Sequence, residues 1–257
     1  MSVLIKRSAV VQMMLPERLE LKRHAIFLDF DGTLVDLVAR PDLVELTGET
    51  RETLAALNEK SEGAVAIITG RDIATVDAFL APLKLPVAGV HGLTRRDVNG
   101  RFHNPQFDAA PLAALKAELA PLIDSEDGLL LEEKQGALVL HYRQRPELED
   151  VCTAAMEKAA RTYPSITTRL GKMVIEAVGY PTDKGRAIDS FMGEEPFRGR
   201  IPVFAGDDVT DEDGFDAVNR LGGLSVKVGA GDTNASCRVE NREALLAWFD
   251  HILKNSG

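Results

Sequence analysis

The chain has 257 residues, 45% hydrophobic and 27% charged, with a formal net charge of −10 at pH 7. That length holds one large or two modest domains around a buried core, and the composition is that of a soluble globular protein. The acidic balance speaks against nucleic acid or an anionic membrane surface as partner, so an anionic substrate would need a locally positive pocket.

The two cysteines, Cys152 and Cys237, lie far apart and give neither a disulfide framework nor a metal-ligand spacing. A reducing cytoplasm is the simplest setting. Near the start, the apolar patch of residues 8–15 is shorter than a membrane span and lacks a cleavage site. Residues 1–19 are expected to be a leader that packs on the surface or is partly disordered. No other run approaches a transmembrane helix, and there is no internal repeat or low-complexity tract.

Ala25-Ile26-Phe27-Leu28 is a short apolar run that predicts a buried parallel strand. It leads into Asp29-Phe30-Asp31-Gly32-Thr33. If the strand continues that far, its period of two points both carboxylates the same way, and Gly32 permits a sharp turn. Two like charges aimed at one point call for a cation between them, and a hard divalent ion with oxygen ligands is the natural candidate. An acidic strand end or a helix cap is the plainer alternative.

Residues 49–60 carry Leu54 and Leu57 at helical spacing. Residues 64–68 form a second apolar strand running into Thr69-Gly70-Arg71, with a helix pattern from Asp72. A hydroxyl and free N–H groups at such a junction suit a phosphate oxygen, and equally suit a helix cap. Arg71 either adds charge near a substrate or pairs with surface acids. A third apolar element, residues 85–90, leads to His91-Gly92. A lone histidine is more often structural than chemical, and His91 suits a loop at the edge of a site.

From about residue 105 the pattern changes. Helices are expected over 111–123 and 146–161. Strand pairs are expected at 128–132 with 137–142, turning at Gln135-Gly136, and at 165–170 with 173–176, turning at Gly171-Lys172. This α-β-β-α-β-β block breaks the β-α-β rhythm on either side. It is read as a second domain, residues 106–180, inserted into a core of residues 20–105 and 181–257. Glu132, Glu133 and Lys134 then fall at a solvated hairpin turn, the usual place for such residues.

Lys184-Gly185 opens the next helix, where a lysine is poorly placed for the helix dipole. Residues 201–206 form another apolar strand, running into Asp207-Asp208-Val209-Thr210-Asp211-Glu212-Asp213, with five carboxylates in seven residues. Metal ligands are expected at the carboxyl edge of a parallel sheet in such a place. The hard oxygens, with no clustered His or Cys, favour Mg²⁺ over zinc. A last strand is expected at 224–229 and a closing helix at 243–253. The fold class is a doubly wound, mostly parallel α/β sheet.

The ordered set Asp-x-Asp-Gly-Thr-Leu, Thr-Gly-Arg, Lys-Gly and Gly-Asp-Asp-x-Thr-Asp-Glu resembles the haloacid-dehalogenase-like phosphohydrolases. The stretches LPVAGVHGLTRRDVNG, LEEKQGALVLHYR and GKMVIE resemble trehalose-6-phosphate phosphatases within that superfamily. The resemblance implies that Asp29 is the nucleophile and becomes an aspartyl phosphate, while Asp31 is the general acid and then base. It implies that Thr69 and Lys184 hold the phosphoryl group, with Gly70, Arg71 and His91 beside the substrate. Mg²⁺ would be held by Asp29, Asp207 and the Asp31 carbonyl, with Asp208 and Asp211 behind or as alternates. Glu132, Lys134 and Glu176 would grip the sugar. Val178-Gly179 departs from the family, where a basic residue and a proline commonly follow the last glutamate.

The implied activity is Mg²⁺-dependent hydrolysis of trehalose 6-phosphate to trehalose and phosphate, by a cytoplasmic monomer working beside a separate synthase. The alternatives are a sucrose-, mannosyl- or other hexose-phosphate phosphatase, a silent sugar-phosphate sensor, and a phosphomutase.

Overall fold

The computed structural model describes residues 13–36, 44–104, 108–134, 136–171, 173–179 and 182–255. Strand β1 (His24–Leu28) lies in the middle of an eight-stranded sheet, and its apolar run reflects coverage on both faces. Ile26 and Leu28 join one core cluster, while Ala25 and Phe27 join the other.

On one side β1 pairs in parallel with β10 (Ile201–Gly206), followed by β11 (Leu224–Val228) and β12 (Cys237–Val239). On the other side come β2 (Val65–Ile68) and β3 (Val87–Gly89), also parallel. The antiparallel strands β4 (Thr94–Arg96) and β5 (Phe102–His103) close that edge. The sheet is thus mixed, with the order β12-β11-β10-β1-β2-β3-β4-β5.

Helices α1 (Gly48–Lys60), α2 (Ile73–Leu80) and α7 (Arg242–Asn255) cover one face through Leu54, Leu57, Val76, Leu80, Leu245 and Phe249. Helices α5 (Lys184–Met192) and α6 (Glu212–Arg220) cover the other through Ile188, Phe191, Phe215 and Val218. Phe27 stacks on Phe197 at 5.4 Å in that second cluster. Asp72 and Asp183 start their helices as caps, accepting from Thr75 N at 2.8 Å and from Arg186 N at 2.7 Å.

Between β5 and α5 the chain builds a second, four-stranded sheet. Its elements are α3 (Ala110–Ser125), β6 (Leu130–Lys134), β7 (Ala137–His141), α4 (Glu149–Arg161), β8 (Thr167–Gly171) and β9 (Val174–Val178). All neighbours are antiparallel, in the order β6-β7-β9-β8. One face, with Leu138, Leu140, Ile175 and Ala177, packs on α3 and α4 through Leu112, Leu115, Cys152 and Met156. The register places Glu132, Val139, Glu176 and Arg169 in one row across the four strands, on the opposite face.

Two expectations are corrected. Strand β1 ends at Leu28, so Asp29 and Asp31 are not alternate positions of one strand, and Asp31 makes only an isolated bridge with Val35. Strand β6 runs two residues later than expected and holds Glu132 to Lys134 inside the strand, not at its turn. The acidic run after β10 passes through a short 3-10 turn into α6, which begins at Glu212. The antiparallel β4–β5 pair and the short β12 had no clear pattern in the sequence. The expected boundaries at 106 and 180, the turn residues Gln135 and Lys172, and residues 1–12 of the leader lie outside the described residues. Of that leader, Met13 bridges to Cys237, and the Pro16 carbonyl accepts from Trp248 Nε1 at 2.8 Å, so residues 13–16 lie on the core.

Candidate active site

The carboxyl ends of three adjacent parallel strands meet the start of α5, and every core motif falls there. Asp29 follows β1, Thr69 follows β2, and Asp207 follows β10. Lys184 is the first residue of α5.

Lys184 is only 2% exposed, and its Nζ donates to Asp29 Oδ1 at 2.7 Å and to Asp211 Oδ1 at 2.6 Å. The sequence misfit of a lysine at a helix start is resolved by these two carboxylates, which lift its basicity against the effect of burial. Asp29, Asp207 and Asp211 gather their carboxylate oxygens within 4.8 Å of one another. Burial pushes Asp29 well above the carboxylate range, with Asp211 and Asp207 adding to it and Lys184 opposing. Burial, then Asp211 and Asp208, push Asp207 up to about 6.

Lys184 thus bonds two of the three carboxylates, and the buried Asp207 Oδ1 has no hydrogen-bond partner. An orphaned carboxylate oxygen in a set of hard donors fits a divalent cation. The glycine of the first motif serves the same spot. Gly32 has φ +82, and a Cβ there would lie 2.1 Å from Asp207 Oδ2. Among the described residues one other group, Asp97, His103 and Glu194, has comparable spacing. It is otherwise engaged: Glu194 takes a bidentate pair from Arg95, and Asp97 accepts from His103 and two backbone N–H groups.

Asp31 stands apart from the three carboxylates. Arg71 grips it through Nε at 2.7 Å and Nη2 at 2.6 Å, with its guanidinium over the rings of Phe30 and Phe79. Thr69 is fully buried, and its Oγ1 accepts the Arg71 N–H at 3.1 Å, so the hydroxyl shapes the loop as a cap would. Asp208 is exposed and caps a short 3-10 turn, Val209–Asp211, while Asp211 Oδ2 accepts the Asp208 N–H at 2.9 Å. Asp211 thus braces the loop as well as Lys184.

His91 follows β3 with φ 52 and hands its N–H to the Thr69 carbonyl at 2.9 Å. Its ring covers Gly70, where a Cβ would lie 2.7 Å from Nε2. Burial, then Lys184, Arg169 and Lys134, hold the imidazole down at about 3, so it is neutral at any physiological pH. Across from it stands Glu176 of β9, 8% exposed, with Oε2 3.9 Å from His91 Nε2. Burial raises the Glu176 carboxyl, while Lys134 and Arg169 pull it down. Glu132 receives His141 Nε2 at 2.8 Å and lies 4.0 Å from Lys134 Nζ.

The polar face of the second sheet thus brings Glu132, Lys134 and Glu176 together beside the core loops. It adds His141 and Arg169, which sequence reasoning passed over. On the core side it also passed over Lys227, which is 4% exposed and donates to the Asp207 carbonyl at 2.5 Å. A lysine inside the apolar run of β11 was the available signal for that residue.

The trehalose-phosphatase family model matches residues 27–243. The chain belongs to the trehalose-phosphatase family. It is 41% identical to the trehalose-6-phosphate phosphatase of Escherichia coli over 230 residues, covering 90% of this chain and 86% of that one. It is 42% identical over 211 residues to a probable trehalose-phosphate phosphatase of Sinorhizobium fredii, covering 82% of this chain and 79% of the relative. The C-terminal domain of Candida albicans trehalose-6-phosphate phosphatase superposes with a TM-score of 0.81 at 21% identity, over 96% of this chain and 99% of that one. A haloacid dehalogenase-like hydrolase from Bacillus subtilis shares the fold alone, with a TM-score of 0.66 at 12% identity over 89% of this chain and 99% of the other. The chain is thus an α/β protein of haloacid-dehalogenase-like fold. Among the described residues no helix is long and apolar enough to cross a membrane.

Proposed function

We propose that the chain hydrolyses trehalose 6-phosphate to trehalose and inorganic phosphate. The observation that carries this reading is the facing pair of surfaces: a buried Asp29 held by Lys184 on the core, and a polar sheet face with Glu132, Lys134 and Glu176 opposite. Membership of the family supports the choice of sugar.

Asp29 attacks phosphorus, and the bond to the sugar O6 breaks as Asp31 protonates that oxygen. Asp31 then takes a proton from water, which attacks the aspartyl phosphate and frees phosphate and the Asp29 carboxylate. The sequence of steps requires Asp31 to leave Arg71, whose guanidinium is then available to the phosphoryl oxygens. Lys184 keeps Asp29 oriented and offsets the charge of the incoming phosphate. Asp29, Asp207 and the Asp31 carbonyl would hold a divalent cation, Mg²⁺ by the hardness of the donors. When bound it offsets the phosphoryl charge.

The second sheet acts as a cap, residues 106–180, that covers the site and excludes water. Glu132, Lys134 and Glu176 take the sugar hydroxyls by charge-assisted hydrogen bonds, each worth about 1.5–3 kcal/mol. The chain acts as a monomer in the cytoplasm, beside a separate enzyme that supplies the phosphate ester. The two buried free thiols support a reducing compartment.

The test is phosphate release from trehalose 6-phosphate, sucrose 6-phosphate and glucose 6-phosphate, with Mg²⁺ and with chelator. Preferred turnover of the trehalose ester, lost with chelator, is the expected result. Preferred turnover of another ester would keep the core chemistry and discard the sugar assignment.

A further inference from the structure

Arg169 has no place in the chemistry just described, yet it reaches from the second sheet to the segment that opens α5. It lies on β8 beside Glu176, its direct neighbour on β9. Its Nη2 donates to the carbonyl of Thr182, in the segment that leads into Asp183 and Lys184. It also lies close enough to His91 and to Asp213 of α6 to pull both acid–base equilibria down.

Thr182 is 4% exposed, and its Oγ1 donates to the His91 carbonyl at 3.1 Å. His91 in turn faces Glu176 at 3.9 Å and covers Gly70. Four residues thus form a ring that crosses between the two sheets twice: Arg169 to Thr182, Thr182 to His91, His91 to Glu176, and back to Arg169 along the β8–β9 pairing.

We propose that Arg169 is a positioning residue, the cap's latch onto the segment that carries Lys184. This rests on the phosphatase reading above and deepens it, because the latch decides how much of the protein is closed when substrate arrives. Arg169 suits the task. A guanidinium gives several donors in a fixed fork, and a charge-assisted bond to a carbonyl is among the stronger single contacts between two lobes. It acts on the substrate through Thr182 and Glu176. Without it the closed form is a smaller fraction of the protein, and apparent affinity falls by that fraction.

The test combines kinetics with a distance. Spin labels at Glu59→Cys on α1 and Lys158→Cys on α4, both exposed positions, report the core–cap separation in the metal-free protein. The labelled parent is expected to give one narrow distance population, and Arg169→Ala a second, longer one. Arg169→Lys should recover most of the short population. In the unlabelled protein, Arg169→Ala should lower kcat/KM for trehalose 6-phosphate by about ten- to a hundredfold, mostly through KM, the range of one charge-assisted bond. Hydrolysis of p-nitrophenyl phosphate, which is too small to span to the cap, should change far less. Thr182→Val should act in the same direction and add little to Arg169→Ala.

An unchanged distance distribution in Arg169→Ala overturns the latch, even if kcat/KM falls, because that pair of results marks a direct sugar contact. Failure of the parent to hydrolyse trehalose 6-phosphate overturns the substrate reading instead and leaves the distance result to judge the latch alone.

Discussion

Lys184 sits in the first turn of α5, where the helix dipole disfavours a cation, and it is almost wholly buried. It stays there because Asp29 and Asp211 both bind it. Removing one partner of a buried ion pair leaves uncompensated charge and costs about 3–5 kcal/mol. Lys184→Met is therefore expected to lower stability by about that much at pH 7 and to abolish turnover. The loss should shrink toward pH 5, because the Asp29 carboxylate, already raised by burial, can then take up a proton. Denaturant unfolding at both pH values checks this; an equal loss at each would contradict the charge argument. Asp29→Asn behaves differently. Burial already disfavours the Asp29 charge, so the amide should fold with an unchanged or higher midpoint while turnover is lost. Substantial residual phosphate release would remove Asp29 from the role of nucleophile. Both residues were legible in the sequence, because each closes or opens an element in a short motif. Arg169 and His141 were not. Their significance lies in neighbours on strands distant in the chain, and only the register of four antiparallel strands shows which of their side chains share a face.

The second sheet shows how alternation along one strand divides labour. On β9, Ile175 points to the helices and Glu176 to the core. Ile175→Ala should cost about 2–5 kcal/mol of stability through the cavity it leaves, with little change in KM below the unfolding transition. Glu176→Gln should leave the midpoint nearly unchanged and raise KM for the sugar ester by about tenfold or more, the scale of one charged hydrogen bond. A matched pair of melting and kinetic curves separates the two, and similar effects from both substitutions would contradict the two-faced sheet. The alternation also explains the misplaced β6. The apolar triplet Leu129-Leu130-Leu131 draws a sequence reading toward its start, yet Leu130 is 61% exposed on the polar face. The strand instead continues through Glu132, Glu133 and Lys134. Glu133, on the far face, pairs with Lys116 of α3 at 2.6 Å. Charged residues there looked like a turn because nothing in their local composition reports the sheet they join. The parallel core strands were easier to place. Both their faces are buried, so each appears as an unbroken apolar run ending at a chemical residue.

At the scale of the fold, the shifted carboxyls of the described residues fall into two groups. Asp72, held low, caps α2 next to Arg71, whereas Asp77, held low by its hydrogen bond to Arg96, and Asp97, held low by its hydrogen bond to His103, lie away from the site. Those held high, Asp29, Asp207, Asp213 and Glu176, surround it, each raised first by burial. The two groups give opposite slopes. A carboxyl held low adds stability above its ordinary range and loses it as pH falls through the lowered value. A carboxyl held high binds its proton in the folded state over a window where the unfolded chain has released it. There the folded state binds more protons, and stability falls as pH rises. For Asp207 the window runs from the ordinary 3.8 to about 6. The metal-free protein is therefore expected to be most stable near the bottom of that window and to lose stability up to about pH 6, by at most about 1.4 kcal/mol per pH unit for each proton involved. A divalent cation binds the deprotonated carboxylates, so saturating Mg²⁺ should stabilise more at pH 7.5 than at pH 5. Calorimetric midpoints from pH 4.5 to 8, with chelator and with Mg²⁺, test both statements. A chelated protein whose midpoint climbs steadily from pH 5 to 7.5, with the same Mg²⁺ increment at each end, would show that the acidic cluster does not set the charge balance of the fold. The expected result, curves that diverge as pH rises, would make the carboxyl edge of the sheet a place where the fold holds excess negative charge for a cation to relieve.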